Sequence, residues 1–176
     1  MEFDIQIAKP EHVQYVLEIV AMIEEASKQR GNSIAKRKTK YITQKIVEGK
    51  AIIALDGINV AGFCYIESWS NEEFVANSGL IVKEVYRGLG LSKKIKKKAF
   101  GLSRKMFPNA KIFGLTTSLP VMKINSELGY LPVNYSELTD DEEFWKGCKG
   151  CEHYITLVNS EKQNCICTGM LMDPKK

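Results

Sequence analysis

The chain has 176 residues, of which 44% are hydrophobic and 26% are charged, and it carries a net charge of +4 at pH 7. This is the composition of one soluble domain with a sizeable core, so no second domain is needed to explain it. The charge is too small to demand a nucleic-acid partner, and no apolar run approaches the ~18 residues of a membrane span.

The first part of the chain is predicted to form one strand and two helices. Residues 3–8 alternate apolar and polar side chains and end before Pro10, which indicates a strand. Apolar side chains then recur every three or four positions, which predicts a helix from residue 11 to near Gly31. A second helix is predicted over residues 34–47, with its basic cluster, residues 36–40, facing water.

A β-hairpin is the clearest pattern in the middle of the chain. Residues 51–55 and 58–68 are two apolar segments, and Asp56–Gly57 between them is a typical tight turn. Residues 74–82 form another apolar segment, which predicts a strand next to the second strand of this hairpin.

Helices and strands alternate after this sheet. Residues 91–106 have the spacing of a long helix, and residues 111–117 read as a buried strand. A short helix is predicted over residues 119–128, where Ser118 can cap its start and Gly129 can end it.

Two further strands complete the predicted order. They cover residues 131–135 and 153–158 and are separated by the acidic segment 139–145. We therefore expect one folded domain over residues 1–160, with residues 161–176 as a cysteine-containing tail that packs on it.

A glycine-bearing turn joins the predicted strand 74–82 to the helix 91–106. It contains Arg87, Gly88 and Gly90, and glycine lets an anion approach the main chain closely. Successive backbone N–H groups at the positive end of a helix form an anion site, so a pyrophosphate would fit there. A plain surface turn is the alternative, but the lysines that follow at the same helix end favour an anionic ligand.

This turn resembles the acetyl-CoA pyrophosphate loop of the GNAT family of N-acetyltransferases, which reads Arg/Gln-x-x-Gly-x-Gly/Ala. Arg87, Gly90 and Ser92 occupy the motif positions, and Gly88 is the frequent extra glycine. The order of predicted elements matches the family along nearly the full chain. The resemblance implies an α/β (α+β) fold, a mixed, mostly antiparallel sheet of six to seven strands that is splayed at the acyl-CoA site and flanked by about four helices.

The same resemblance implies acetyl-CoA as co-substrate. Its pantetheine would insert between splayed strands and bond to the backbone of Leu80 and Val82, and the reacting oxyanion would lie near Ile81 or Val82. The cofactor-binding residues implied in this way are Leu80, Ile81, Val82, Arg87, Gly88, Leu89, Gly90, Leu91, Ser92, Lys93 and Asn125.

Acyl transfer to an amine also needs a base and a proton for the leaving thiolate. Glu72 and Glu73 lie at the start of the strand that precedes the loop, and Glu67 lies on the neighbouring strand. Each could act as the base directly or through water, and Glu73 is the preferred one. The family's usual acid, a tyrosine, is replaced here by Asn125, which cannot supply a titrating proton. Water, Ser126 or Tyr130 could take this role, or the step could be uncatalysed.

Short segments are similar to the acetyltransferase domain of the N-acetylglutamate synthases. They are Leu115-Thr116-Thr117-Ser118, Gly129-Tyr130-Leu131-Pro132-Val133 and Glu137-Leu138. This similarity implies a small-molecule amine as acceptor, such as the amine of glutamate. A carboxylate on that acceptor would need a basic side chain, and the candidates are Arg30, Arg37, Lys40 and Lys123.

Four cysteines form two pairs near the end of the chain, Cys148 with Cys151 and Cys165 with Cys167. They could ligate a structural zinc ion that ties the tail to the last strand. A redox-active pair and unliganded thiols are the alternatives, and Cys64 is expected to be core.

Three functions are compatible with these patterns. The first is an acyl-CoA-dependent N-acyltransferase of the cytoplasm that acts on a small amine and could form a homodimer. The second is a non-catalytic CoA-binding module, suggested by the absent acid at Asn125. Nucleic-acid binding through the lysine clusters is the least favoured, because no stacking aromatics are interleaved with them.

Overall fold

The computed structural model describes residues 2–31 and 34–175. Its centre is a seven-stranded sheet in the order β1-β2-β3-β4-β5-β7-β6, in which only the β4–β5 pair is parallel. The strands are β1 (Asp4–Ile7), β2 (Ala51–Asp56), β3 (Asn59–Trp69), β4 (Phe74–Val82), β5 (Lys111–Thr116), β6 (Leu131–Val133) and β7 (Thr168–Met172).

Six α-helices accompany the sheet within these described residues, two more than expected. They are α1 (Val16–Gln29), α2 (Thr39–Val47), α3 (Leu91–Met106), α4 (Leu119–Glu127), α5 (Glu142–Lys146) and α6 (Tyr154–Asn159). Short 3-10 helices cover Pro10–Tyr15, Glu84–Tyr86, Tyr135–Glu137 and Gly147–Gly150. None of the helices in the described ranges is long and apolar enough to span a membrane.

The predicted hairpin, β4 and α3 are confirmed with nearly the predicted bounds. These elements have strong local patterns: α3 buries Leu91, Ile95, Ala99 and Leu102 along one stripe against the sheet. The helices α1 and α2 pack on the opposite face of β2 and β3. Strand 111–117, helix 119–128 and strand 131–135 are also present, each a little shorter than predicted.

The predicted strand over residues 153–158 is wrong, because Tyr154–Asn159 forms the helix α6. The last strand is β7, which lies inside the segment 161–176 and pairs with both β5 and β6. Residues 161–176, expected to pack on the domain as a tail, thus supply a strand to the interior of the sheet. Tertiary pairing outweighs the low strand propensity of Gly169 in β7.

The predicted helix over residues 34–47 is also too long, since α2 begins at Thr39. The described residues before it, 34–38, have no helical structure and line a cavity that is described below. As a consequence, the basic cluster 36–40 does not simply face water, and the Arg37 side chain is directed inward to the hydroxyl of Tyr65.

The predicted splay of the sheet is confirmed between β4 and β5. Their parallel ladder covers only Phe74 to Ala76 and Lys111 to Phe113. Beyond Ala76, β4 continues to pair with β3 as far as Val82, whereas β5 continues to pair with β7. Each strand thus follows its outer neighbour, and a wedge opens between them with its apex at Ala76 and Phe113.

A β-bulge shapes the β4 side of this wedge. The β3–β4 register shifts between Phe63 and Tyr65, opposite Gly79, whose φ is +63°. A Cβ at position 79 would lie 2.6 Å from Cε1 of Tyr65, so only glycine fits both the backbone and the ring. The bulge therefore turns the backbone of β4 at the wedge and places the Tyr65 ring directly against it.

Candidate functional site

The turn before α3 has the backbone shape of an anion cradle. Gly88 and Gly90 both have left-handed conformations, with φ of +81° and +73°, and Gly90 directly precedes the first turn of α3. A Cβ at either glycine would meet nothing within 4 Å, so the turn is open. The N–H groups of the first turn of a 16-residue helix face this opening, which favours an anion.

Two arginines strengthen the positive charge at this turn. Arg30, at the end of α1, lies close enough to Arg87 that burial and this like charge lower the pKa of Arg30. None of the ion pairs among residues 2–31 and 34–175 involves either guanidinium. Like charges held together without a carboxylate are typical of a site that binds an anion.

We expect Gly90→Ala to weaken CoA binding by about tenfold or more, because a methyl group would occupy the cradle and the left-handed backbone costs about 1–2 kcal/mol. Gly49→Ala is the matched control: Gly49 has φ +65° and open space around it, but it follows α2. Both variants should lose similar stability in urea unfolding. Titration calorimetry with CoA should show a loss of affinity for Gly90→Ala only, and equal affinities would contradict the anion cradle.

A cavity of about 550 Å³ passes through the wedge between β4 and β5. On the β4 side it is lined by Ser78, Gly79 and Leu80, and on the β5 side by residues 114–116. Lys96 and Asn125 line it from the face of the sheet that carries α3 and α4, and other side chains line it from the face that carries α1 and α2. The cavity thus connects the two faces of the sheet.

On the α3 side, a buried network of polar side chains lies behind and along the cavity wall, to which Asn77 and Asn125 belong. Tyr130 donates a hydrogen bond to Asn77 Oδ1 over 3.2 Å, and Asn77 donates to Ser103 Oγ over 2.7 Å. Asn125 is 1% exposed and its Oδ1 has no hydrogen-bond partner in the described structure. Because an unpaired buried acceptor is costly, this oxygen is suited to a donor on a ligand.

On the opposite side, Arg37 is the main basic group. Its Nε donates to the hydroxyl of Tyr65 over 2.6 Å, and its Nη1 donates to the carbonyls of Ala35 and Lys36. Its Nη2 makes none of the hydrogen bonds found among the described residues. With Nε and Nη1 held in this way, the two N–H groups of Nη2 remain as donors for a carboxylate.

Glu67 is the partly buried carboxylate of this side, and it lines the cavity. Its Oε2 pairs with the Lys45 ammonium, which is 3% exposed, and accepts from the hydroxyl of Tyr41 over 3.3 Å. Its Oε1 accepts from the backbone N–H of Ser68 over 3.2 Å. These contacts hold the carboxylate in one orientation, as a base that acts directly or through water requires.

The structure does not bring Glu73 to the cavity, so its assignment as the base needs correction. Glu73 is exposed, pairs with Lys111 over 3.4 Å and lies directly before β4, on the side of the apex away from the wedge. Glu72 lies in the exposed turn before it, with φ of +67°. The pleat of β3 instead directs Glu67 inward, since strand residues alternate between the two faces of a sheet.

Other predicted site residues are placed as follows. Ser126 is exposed and does not line the cavity, so the structure does not support its use as an acid. Lys93 pairs with Glu127 of α4 over 2.6 Å. Neither Lys40 nor Lys123 lines the cavity, whereas Arg30 does. The side chains of Leu91, Ile81 and Val82 are buried, while Leu80, Leu89 and Ser92 are partly or fully exposed.

Cys148, Cys151, Cys165 and Cys167 all line the cavity. His153 connects two of them, because its N–H donates to Cys151 Sγ and its carbonyl accepts from Cys165 Sγ. Burial and neighbouring thiols raise the pKa of Cys148 to about 11 and that of Cys167 to about 12. Within the described ranges, no group of three or more His, Cys, Asp or Glu could hold a metal ion. The described structure therefore does not support the predicted zinc site.

Sequence reasoning assigned no role to Lys96 of α3, which is 2% exposed and lines the cavity. Helical spacing could have found it: Lys96, Ala99 and Ser103 follow the buried stripe at intervals of three and four. The ion pair of Glu67 with Lys45 left no such signal, because it joins β3 to α2 across the tertiary structure.

No model of a protein family matches the chain, and no curated protein is significantly similar to it in sequence. Solved structures are similar in fold. N-acetylglutamate synthase from Neisseria gonorrhoeae, complexed with coenzyme A and N-acetyl-glutamate, has a TM-score of 0.71 and 15% identity, over 98% of this chain and 35% of that one. This chain therefore spans about a third of the length of that synthase.

Two shorter proteins match over their full lengths. A protein from Mycobacterium tuberculosis in complex with CoA has a TM-score of 0.66 and 11% identity, over 97% of this chain and 98% of that one. An acetyltransferase of the GNAT family from Staphylococcus aureus has a TM-score of 0.66 and 15% identity, over 98% and 99%. With the splayed sheet, the β4 bulge and the glycine turn before α3, these matches show that the chain has the fold of the GNAT N-acetyltransferases.

Proposed function

We propose that this protein is an acyl-CoA-dependent N-acyltransferase that moves an acetyl or similar acyl group to the primary amine of a small molecule. The observation that carries this proposal is the cavity through the wedge, which joins the face of the sheet that carries α3 to the opposite face, where Arg37 and Glu67 line it. Donor and acceptor would enter from opposite faces of the sheet and meet between β4 and β5. Direct transfer in a ternary complex needs this arrangement.

The donor side fits CoA by charge and by hydrogen bonding. The glycine turn, with Arg30 and Arg87 beside it, supplies N–H groups and positive charge for a pyrophosphate. The unpaired Oδ1 of Asn125 would accept from an amide N–H of the pantetheine arm. The backbone of β4 at the wedge remains the proposed partner of the pantetheine, with Leu80 lining the cavity, and the oxyanion is proposed to lie near Ile81 or Val82.

The acceptor side fits a small molecule that carries both an amine and a carboxylate. Arg37 offers donors for the carboxylate, and Glu67 would take the proton that the attacking amine releases. An α-amino acid has both groups, and glutamate would add a second carboxylate for the neighbouring Lys36 or Lys38, which also line the cavity. The aromatic wall formed by Tyr41, Trp69 and Phe144 limits the acceptor's size.

The test is release of free thiol from acetyl-CoA in the presence of a panel of amines. The panel should contain acidic, neutral and basic amino acids, together with amides and decarboxylated forms of the same compounds. We expect release with free amino acids and a loss of tenfold or more when the α-carboxylate is masked, because Arg37 then lacks its partner. Mass spectrometry of the product should show an N-acyl group.

Arg37→Gln separates recognition of the acceptor from binding of CoA. We expect a KM for the amino acid that is raised about tenfold or more, with a nearly unchanged affinity for CoA. Lys28→Gln, which removes a positive charge from an exposed position on α1, is the control. Should CoA raise the melting temperature while no amine yields free thiol, the protein is a CoA-binding module instead of an enzyme.

A further inference from the structure

Lys96 is a buried cation for which the proposed function has given no role. It lies on α3, is 2% exposed, and lines the cavity from that side. None of the ion pairs or side-chain hydrogen bonds among the described residues involves its ammonium group. Its Nζ lies 5.0 Å from the centre of the Tyr130 ring. A cation–π contact alone is weak compensation for burying an ammonium group.

The groups around Lys96 do not neutralise it. Cys64 of β3 and Tyr130 after α4 are the titratable groups that face it. Burial raises the pKa of Cys64 to about 11 and also raises that of Tyr130, so both are neutral near pH 7. Burial lowers the pKa of Lys96 to about 8. Near neutral pH, Lys96 therefore carries a proton that it can readily release.

Lys96 lies close to the wedge, where a proton could be transferred to a bound ligand. Tyr130, which lies under the ammonium group, is hydrogen-bonded to Asn77, the first residue of β4 beyond the apex. Cys64, which also faces Lys96, donates to the carbonyl of Ser78, and Ser78, Asn125 and Lys96 all line the cavity. If CoA binds as proposed above, its pantetheine arm lies in this cavity, and Lys96 is the buried cation on the same side of the sheet as its sulfur.

We infer that Lys96 is the general acid of the reaction and protonates the sulfur of CoA as it leaves. When the carbon–sulfur bond breaks, its electron pair goes to sulfur, and a proton moves from Nζ of Lys96 to the sulfur. The products of this step are the CoA thiol and a neutral lysine amine. Solvent then returns a proton to the amine through the open cavity. This inference rests on the proposed function.

The other candidates for the acid are less well placed. Asn125 has no titrating proton, and Ser126 is exposed outside the cavity. The hydroxyl of Tyr130 already donates to Asn77, and its raised pKa makes it a weaker acid than Lys96. Lys96 is thus the buried cavity residue, among those described, with both a proton to give and a suitable pKa.

The direct test is the titration of the CoA thiol in its complex with the protein, followed by the ultraviolet absorbance of the thiolate. It needs no acceptor. We expect the thiol pKa to be about 1–3 pH units lower in the wild-type complex than in the Lys96→Met complex, because a nearby cation stabilises the thiolate. Lys97→Met, which removes the neighbouring exposed charge, should titrate like the wild type.

Kinetics provide the second readout. With the acceptor found in the amine panel, kcat of the wild type should fall as the pH rises through about 8, where Lys96 loses its proton. Lys96→Met should lower kcat about 100-fold without raising KM for acetyl-CoA. The fall of kcat above about pH 8 should be absent from the pH profile of this variant.

Two outcomes would overturn the inference, and they are distinguishable. If CoA does not bind to the wild type at all, the proposed function fails and the inference fails with it. If CoA binds and its thiol titrates alike in the wild type and in Lys96→Met, only the role of Lys96 is refuted.

Discussion

Glu67→Gln is expected to lower kcat at least about 100-fold, while leaving the affinity for acetyl-CoA nearly unchanged. Glutamine keeps the size of the side chain and its contacts with Tyr41 and Ser68, but it cannot take a proton from the amine. Glu67 lies on the acceptor side of the cavity and not at the glycine turn, so CoA binding should not depend on it. Stopped assays for the N-acyl product, together with calorimetry for CoA, measure the two quantities.

Glu67→Gln should also destabilise the protein by about 3 kcal/mol, because it leaves the buried ammonium of Lys45 with Glu48 alone, at 3.8 Å. Rates must therefore be measured well below the melting temperature. Glu48→Gln is the matched control, since it also removes a carboxylate near Lys45 but lies outside the cavity. It should retain full kcat.

Glu73→Gln tests which glutamate is the base: Glu73, as the sequence suggested, or Glu67, as the structure suggests. Glu73 pairs with Lys111 at the surface, and loss of such an exposed pair costs at most about 1 kcal/mol. We expect its activity to match that of the wild type. A large fall in kcat for Glu73→Gln, with activity retained by Glu67→Gln, would show that the base had been assigned to the wrong strand.

Lys96→Met is expected to stabilise the protein at neutral pH by as much as about 3 kcal/mol, which is the energetic equivalent of lowering a pKa from 10.5 to about 8. Burial of the ammonium group is the main cause of that lowered pKa, and methionine of similar length removes the charge. Urea unfolding at pH 7 measures the difference. A variant that is less stable than the wild type would contradict it.

The pH dependence of this difference has a definite sign. Between about pH 8 and 10.5, the unfolded chain binds a proton at Lys96 that the folded chain has released. The free energy of unfolding of the wild type therefore rises with pH in this window, relative to Lys96→Met. The stabilising effect of the substitution should be largest below pH 8 and should disappear above about 10.5. A difference that is constant with pH would show that packing, and not charge, is responsible.

The two effects predicted for Lys96→Met have opposite signs: a more stable fold and a slower reaction. A buried charge that costs stability is expected where it has a function, because binding and catalytic sites retain groups that packing alone would exclude. Measuring both effects on the same preparation tests whether Lys96 is such a residue.

Much of the fold could be predicted from local patterns. The hairpin at Asp56–Gly57, the bounds of β4 and those of α3 follow from turn chemistry and from the spacing of apolar residues, which act over a few neighbouring positions. The anion cradle at Gly88 and Gly90 could be predicted for the same reason, because its glycines, its arginine and its helix are contiguous in the sequence. Helix α6 and strand β7 could not be predicted in this way. The sequence of α6 is typical of a strand and that of β7 contains glycine, so the secondary structure of both depends on the elements that pack against them.

The sequence by itself determined the class of fold, the place of the wedge beside β4, and the loop suited to a pyrophosphate. The tertiary structure decided which side chains meet in the cavity. It brings Glu67 and not Glu73 to the cavity, directs Arg37 inward and buries Lys96, and among the described residues it does not gather the four cysteines into a metal site. The physical reason is that these roles depend on distance and on exclusion of water, and both are set by residues that are remote in the chain.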